Sequence, residues 1–177
     1  MWTRSLLLTL LASASVPRLA LAQHEHKGGA MAAIKPLYDR IRDLYIKSAE
    51  VMPEADYSFK PTEKVRTYGQ LLGHIANEHY IFCSAALGEK DPNTTDYEKV
   101  TSKSDMIAAL KKANAYCDAA YAISEAKAME PVTLYGETNN KLWALTYNVV
   151  HDSEHYGNIV TYLRLKGLVP PSSQGGM

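Results

Sequence analysis

The sequence predicts an all-α domain, a four-helix bundle with a long connection between the second and third helices. Apolar residues recur every three or four positions over four long stretches, and most of these stretches carry their own start or stop residues. The one strand-like run, Pro131-Val132-Thr133-Leu134, has no obvious partner. Four amphipathic helices without a sheet can bury their stripes only against one another. The 177 residues suit one domain.

The first helix carries Ile34, Leu37, Tyr38, Ile41, Leu44, Tyr45, Ser48 and Val51 on one stripe, and Pro53 stops it. For the second, Thr67 is the expected N-cap, with Gln70 at the third following position as a capping box prefers. Leu71, His74, Ile75, Glu78, Phe82 and Ala85 then lie along one side, and Gly88 ends the helix. Residues 89–101 are loop-like, with Asp91-Pro92-Asn93 as a turn signal. Ser102 or Ser104 opens the third helix, whose stripe runs Ile107, Leu110, Ala113, Asn114, Cys117, Ala120 and Tyr121. The fourth begins near Thr138 and runs to Lys166, where Gly167 and then Pro170-Pro171 supply the stop.

Both ends read differently from the bundle, which occupies residues 31–171. Arg4, the apolar run Leu6–Ala12 and then Ala20-Leu21-Ala22 have the order of a secretory signal peptide over residues 1–22. The apolar run is much shorter than the roughly 20 residues needed to span a bilayer, so no stable membrane anchor is expected after processing. The mature chain, exported to a periplasm or the exterior, would begin at Gln23 with a flexible lead-in over 23–30 that holds His24 and His26. Residues 172–177 read as a disordered tail.

Charge excludes one class of partner. Lysines and arginines balance aspartates and glutamates at 19 each, and removing Arg4 and Arg18 leaves 17 against 19. Without a basic patch to neutralise phosphates, nucleic acid is not expected as a partner. Cys83 and Cys117 are expected as two buried free thiols packing as small apolar groups, with a single disulfide as the other arrangement. Sequence cannot supply the short Cα separation that a bridge requires.

His151-Asp152-Ser153-Glu154-His155 is the sharpest local signal. Residues four apart on a helix lie on one face, about 5–6 Å apart at Cβ, so both imidazoles can reach one ion. His74 points into the bundle among Leu71, Ile75 and Phe82, where an imidazole is costly unless its nitrogens find partners. A metal shared by His74, His151 and His155 satisfies all three, and bundle cores build metal sites in this way. His79 falls well round the helix from His74 and reads as structural or exposed. Asp152 and Glu154 read as solvated or salt-bridged on other faces.

Two zinc-peptidase patterns bear on these residues. H-E-x-x-H fails at Asp152, and H-x-x-E-H matches at Glu154 but lacks the downstream carboxylate ligand, since no Asp or Glu follows His155. Glu78, one turn after His74, is the candidate for orienting a ligand or moving a proton, beside the plainer reading of a solvated helix carboxylate. Gly157 is expected to allow close helix approach near the metal, and Tyr147, Tyr156 and Tyr162 are candidates to line a pocket or fill the core.

The stretch Arg66-Thr-Tyr-Gly-Gln-Leu-Leu-Gly-His74, the segment His151-x-x-x-His155-Tyr-Gly-Asn158 and the closing Tyr162-Leu-Arg-Leu-Lys-Gly-Leu-Val-Pro-Pro171 together resemble the DinB-like (damage-inducible) four-helix bundle family over roughly residues 34–171. The resemblance implies a divalent metal held by one histidine of the second helix and the H-x-x-x-H pair of the last, which fall here on His74, His151 and His155. That family often has Gln three residues after the last histidine, whereas this chain has Asn158. Related branches include transferases and isomerases that use low-molecular-weight thiols.

The expected cofactor is one divalent ion, zinc or nickel ahead of manganese or iron, since imidazole accepts several of them. Three protein ligands leave a position for water or a small-molecule substrate. The functional expectation is therefore a metal-dependent hydrolase or thiol-adduct transferase, with a non-catalytic metal-binding or stress-associated module as the alternative. A two-fold homodimer is the natural assembly if a bundle helix exposes an apolar stripe.

Overall fold

The computed structural model describes residues 28–175. The expected signal peptide and most of the lead-in lie outside the described residues, as do positions 176 and 177. No described helix is long and apolar enough to cross a membrane.

Four long helices form the bundle: α1 (Ala30–Val51), α2 (Tyr68–Leu87), α3 (Lys103–Ala120) and, after a short α4 (Glu125–Ala128) and a hairpin, α5 (Lys141–Leu165). Helix α1 buries Ile34, Tyr38, Ile41, Tyr45 and Ser48. Leu37, expected in that stripe, instead lies 56% exposed one residue round the helix. The capping box of α2 forms as expected: Gln70 N donates to Thr67 Oγ1 at 3.2 Å and Thr67 N donates to Gln70 Oε1 at 2.9 Å. Gly88, at φ 78°, ends α2 in the left-handed region open to glycine. Ser102 caps α3, its hydroxyl accepting from Asp105 N.

The hairpin corrects the strand expectation. Strand β1 (Pro131–Leu134) does find a partner, the polar β2 (Glu137–Asn140), in antiparallel register from Pro131 opposite Asn140 to Leu134 opposite Glu137. The turn between them is Tyr135-Gly136, both with positive φ (52° and 81°), the backbone of a two-residue type I′ connection. Helix α5 accordingly starts at Lys141 and not near Thr138, because Thr138 to Asn140 are paired in β2 and the Asn140 side chain caps the helix.

Helix α2 packs against α3 and α5, and α1 packs against the same two. The cyclic order is therefore α1–α3–α2–α5. The long connection between α2 and α3 joins neighbours and folds back along α2 through a 3-10 turn at Tyr97–Lys99. Asn77 holds it there, accepting from Tyr97 N at 3.0 Å and donating to Asp96 at 3.2 Å. Gly73 is what lets it approach, because a Cβ there would run into the backbone of Tyr97 and Glu98. The close approach expected at Gly157 is absent, since a Cβ added there would meet nothing within 4 Å.

One further expectation is corrected. Cys83 and Cys117 are not free thiols; they form a disulfide between α2 and α3, with Cα atoms 5.2 Å apart. Cys117 lies on the inward stripe of α3, and where α2 crosses α3 it meets Cys83. Pro171–Ser173 form a 3-10 turn in which Ser172 N donates to Tyr156 Oη at 3.0 Å and Arg164 donates to Ser173 Oγ at 3.1 Å.

Candidate metal centre

His74 comes from the middle of α2, and His151 and His155 stand on successive turns of α5. Because α2 and α5 are neighbours, the three rings meet. Their Nε2 atoms converge, His74 to His151 at 3.3 Å and His155 to His151 at 3.0 Å. All three ligand atoms lie within 4.8 Å of one another, and among the described residues no fourth Asp, Glu, Cys or His joins the group. Two nitrogens bound at about 2.05 Å to a tetrahedral ion lie roughly 3.3 Å apart, so these separations match a shared cation.

The outward nitrogens support that reading. Glu98 Oε1 lies 3.1 Å from His74 Nδ1, and Glu98 Oε2 accepts from Arg66 Nε at 3.1 Å. A carboxylate on Nδ1 keeps the proton there and leaves Nε2 bare to bind, the usual support of a metal-ligating histidine. His151 Nδ1 is buried without a hydrogen bond and lies 3.9 Å from Asp152 Oδ1, which is also buried and unbonded. The donor set fits a divalent ion of the kind that imidazole binds.

Electrostatics keep the His74 and His155 rings neutral. Burial, then the Arg66 cation, lower the His74 pKa below its ordinary value. Burial, followed by His151 and His74, pushes His155 down to about 4. A folded-state pKa below the unfolded 6.5 means that the unfolded chain takes up protons first. The metal-free protein should therefore lose stability progressively as pH falls from about 6.5 to about 4. Thermal melts in EDTA across that range check this, with His155→Gln expected to flatten the profile. A wild-type melting temperature constant from pH 7 to pH 4.5 would contradict it.

Several neighbours escaped the sequence reading. Glu98 lies in a segment read as plain loop, and nothing local marks it, since its role depends on the loop folding back along α2. Asp152 was placed on a solvated face, yet it is fully buried and its Oδ2 lies 2.8 Å from Nε2 of His79, itself fully buried. A signal for it existed: Leu145, Asn148, Asp152, Tyr156, Ile159 and Leu163 follow the inward stripe of α5. Glu154 is exposed, as expected. Glu78 stands one turn beyond His74, partly buried, and accepts the hydroxyl of Tyr135 from the hairpin turn; it is not within the ligand group.

Of the three tyrosines, Tyr162 shares with His155, Asn158, Arg66, Lys64 and Leu71 the lining of a cavity of about 660 Å3. Tyr147 lines a separate hollow, and Tyr156 is buried.

A sequence model of the DinB superfamily matches residues 37–159, a span that includes all three histidines. No protein with a curated description matches the sequence. The fold is similar to a DinB-like protein from Bacillus cereus, with TM-score 0.71 and 18% identity over 82% of this chain and 97% of that one. It is similar also to a DinB-like protein from Bacillus subtilis, with TM-score 0.66 and 21% identity over 82% and 99%. A mycothiol-dependent maleylpyruvate isomerase has TM-score 0.61 and 16% identity over 73% of this chain and 60% of that one. With the family match spanning most of its length and the bundle built as that fold requires, this chain belongs to the DinB superfamily.

Proposed function

We propose that this is an exported metal-dependent enzyme that hydrolyses a small molecule at a three-histidine centre with one face left open. The observation that carries it is the convergence of His74, His151 and His155 Nε2 atoms beside a cavity that reaches His155. A divalent ion held there, zinc or nickel in first place, supplies Lewis acidity that lowers the pKa of a bound water or thiol. The protein's own groups do the rest. Glu98 fixes the tautomer of His74, and burial keeps His74 and His155 neutral and able to bind. Lys64, Arg66 and Asn158 at the cavity wall give a substrate polar contacts. Glu78, steadied by Tyr135, is the group on α2 one turn away that can accept a proton.

The choice of water over thiol rests on compartment. The Cys83–Cys117 bridge suits an oxidising location, as does the signal-like N-terminus, and low-molecular-weight thiols are scarce there. The likeness to a mycothiol-dependent isomerase is what favours the thiol-adduct version, and it is a likeness of fold.

Metal analysis of the purified chain beside His74→Ala/His151→Ala tests the reading. One divalent ion per wild-type chain is expected, with loss in the variant exceeding the 10–100-fold that removal of a merely supporting residue costs. Turnover of an ester or amide panel should disappear with it while helical circular dichroism persists. Wild-type metal content in the variant would end the assignment, and a metal-loaded protein inert toward the whole panel would reduce it to a binding module.

A further inference from the structure

One turn toward the hairpin from His151, on the same face of α5, stand Tyr147 and then Trp143. With Tyr135, Glu137, Thr146 and Val150 they line a hollow of about 360 Å3, within the size range of small-molecule sites. The rings do not stack flat. Trp143 meets Tyr147 at 5.5 Å between centroids and 40°, and Tyr135 meets it at 6.4 Å and 83°, so they make walls. Tyr135 and Tyr147 are 58% and 40% exposed, which is unusual for two rings gathered at one place. Phe82 lies behind them, 5.2 Å from Tyr147, 5.9 Å from Tyr135 and 5.5 Å from His151.

Tyr135 is there at a cost. It sits at φ 52°, a left-handed conformation that Gly or Asn adopts far more readily in a type I′ turn. A strained aromatic at a turn tip that would accept Asn calls for a use of its ring. Its hydroxyl is tied to Glu78, which fixes the ring over α2 and α5.

The chemistry of the walls selects the occupant. Aromatic faces carry partial negative charge, and Glu137 is the one charged residue in the lining. An anion is repelled, and a primary ammonium would have to shed strong hydration. A methylated ammonium presents apolar surface and diffuse positive charge together, and aromatic cages take such groups with the cation within about 6 Å of each ring centroid. The 5.5 and 6.4 Å ring spacings allow that.

We propose that Tyr135, Trp143 and Tyr147, with Glu137 at the rim, form a cage for the methylated ammonium group of a small molecule, one helical turn from the histidine centre. The inference goes beyond the metal reading and does not depend on it, since the cage is built by α5 and the hairpin. Calorimetric titration of the metal-free protein with choline, and with its neutral isostere 3,3-dimethylbutan-1-ol, tests it. Choline should bind at least about tenfold more tightly than the isostere. Glu137→Gln should narrow that preference, and Tyr135→Asn should abolish choline binding while keeping or raising the melting temperature, because Asn-Gly suits the turn. Equal binding of the two compounds would show a plain apolar hollow and overturn the proposal. So would absence of saturable choline binding in the millimolar range, or full binding by Tyr135→Asn. Any of these failures would leave the metal content of the histidine centre untouched, so the two readings fall separately.

Discussion

Asp152→Ala should cost about 3–5 kcal/mol of folding stability, the loss expected when a fully buried carboxylate is truncated and its hydrogen-bonded partner is stranded. Asp152 and His79 are both fully buried, joined at 2.8 Å between α5 and α2, with Tyr38 and Tyr45 packed around the imidazole at 6.1 and 5.7 Å between centroids. Burial alone would raise the Asp152 pKa, but the facing His79 and His151 bring it below the ordinary carboxylate value of 3.8. The carboxylate is thus ionised in the folded protein, and its contribution is present above about pH 4 and lost below it. Truncation strands a buried His79 ring with neither nitrogen bonded, since Nδ1 already has no partner. Urea denaturation measures the cost. His79→Ala/Asp152→Ala should lose less than the sum of the single losses, because the second change removes what the first left unpaired. Asp152→Asn keeps shape and an acceptor, so it should cost about 1–3 kcal/mol. Because Asp152 also faces His151 Nδ1 at 3.9 Å, both variants should weaken metal binding about 10–100-fold. A loss below about 1 kcal/mol in Asp152→Ala would show that the pair contributes no more than an exposed contact.

How far the sequence could be read follows from the range of each interaction. Capping is local, so Thr67 with Gln70, Ser102 and Gly88 were legible as helix ends. The H-x-x-x-H pair needs only helical geometry, and His74 needed only the inward stripe of α2. Contacts that depend on how elements dock were not legible. Glu98 reaches His74 because a loop folds back over Gly73, and the disulfide depends on where α2 crosses α3. Strand β2 was hidden for another reason: Glu137-Thr-Asn-Asn has no apolar alternation, and it pairs because the Tyr135-Gly136 turn brings it back onto β1. Asp152 is the missed case that the pattern contained. It occupies an inward position on α5, so the face beside the histidine pair that reads as solvated is buried against His79.

Replacing both cysteines, Cys83→Ala/Cys117→Ala, should remove a comparable amount of stability. The bridge spans 34 residues of sequence, and loop-closure entropy for a ring of that size is worth about 3–4 kcal/mol. Both sulfurs are fully buried among Met31, Ile34, Tyr38, Ala120, Tyr121 and Leu145, so little of the loss can be recovered by repacking. In a domain of this length that corresponds to a fall of roughly 6–16 °C in melting temperature, about 2–4 °C per kcal/mol. Thiol titration after denaturation without reductant should find no free thiol in the wild type. Two titratable thiols there, with melting unchanged in the double variant, would refute the bridge. The position of the bridge gives the result a further consequence. Helix α2 is tied covalently to α3 through Cys83 and, in the metal reading, by coordination to α5 through His74. A ligand present at 1,000 times its dissociation constant stabilises the folded state by about 4 kcal/mol, close to the loss of the bridge. The cysteine-free protein saturated with metal and the bridged protein stripped of it should therefore melt within a few degrees of each other. A cysteine-free protein that gains nothing from metal would mean that His74 and the α5 pair do not share an ion.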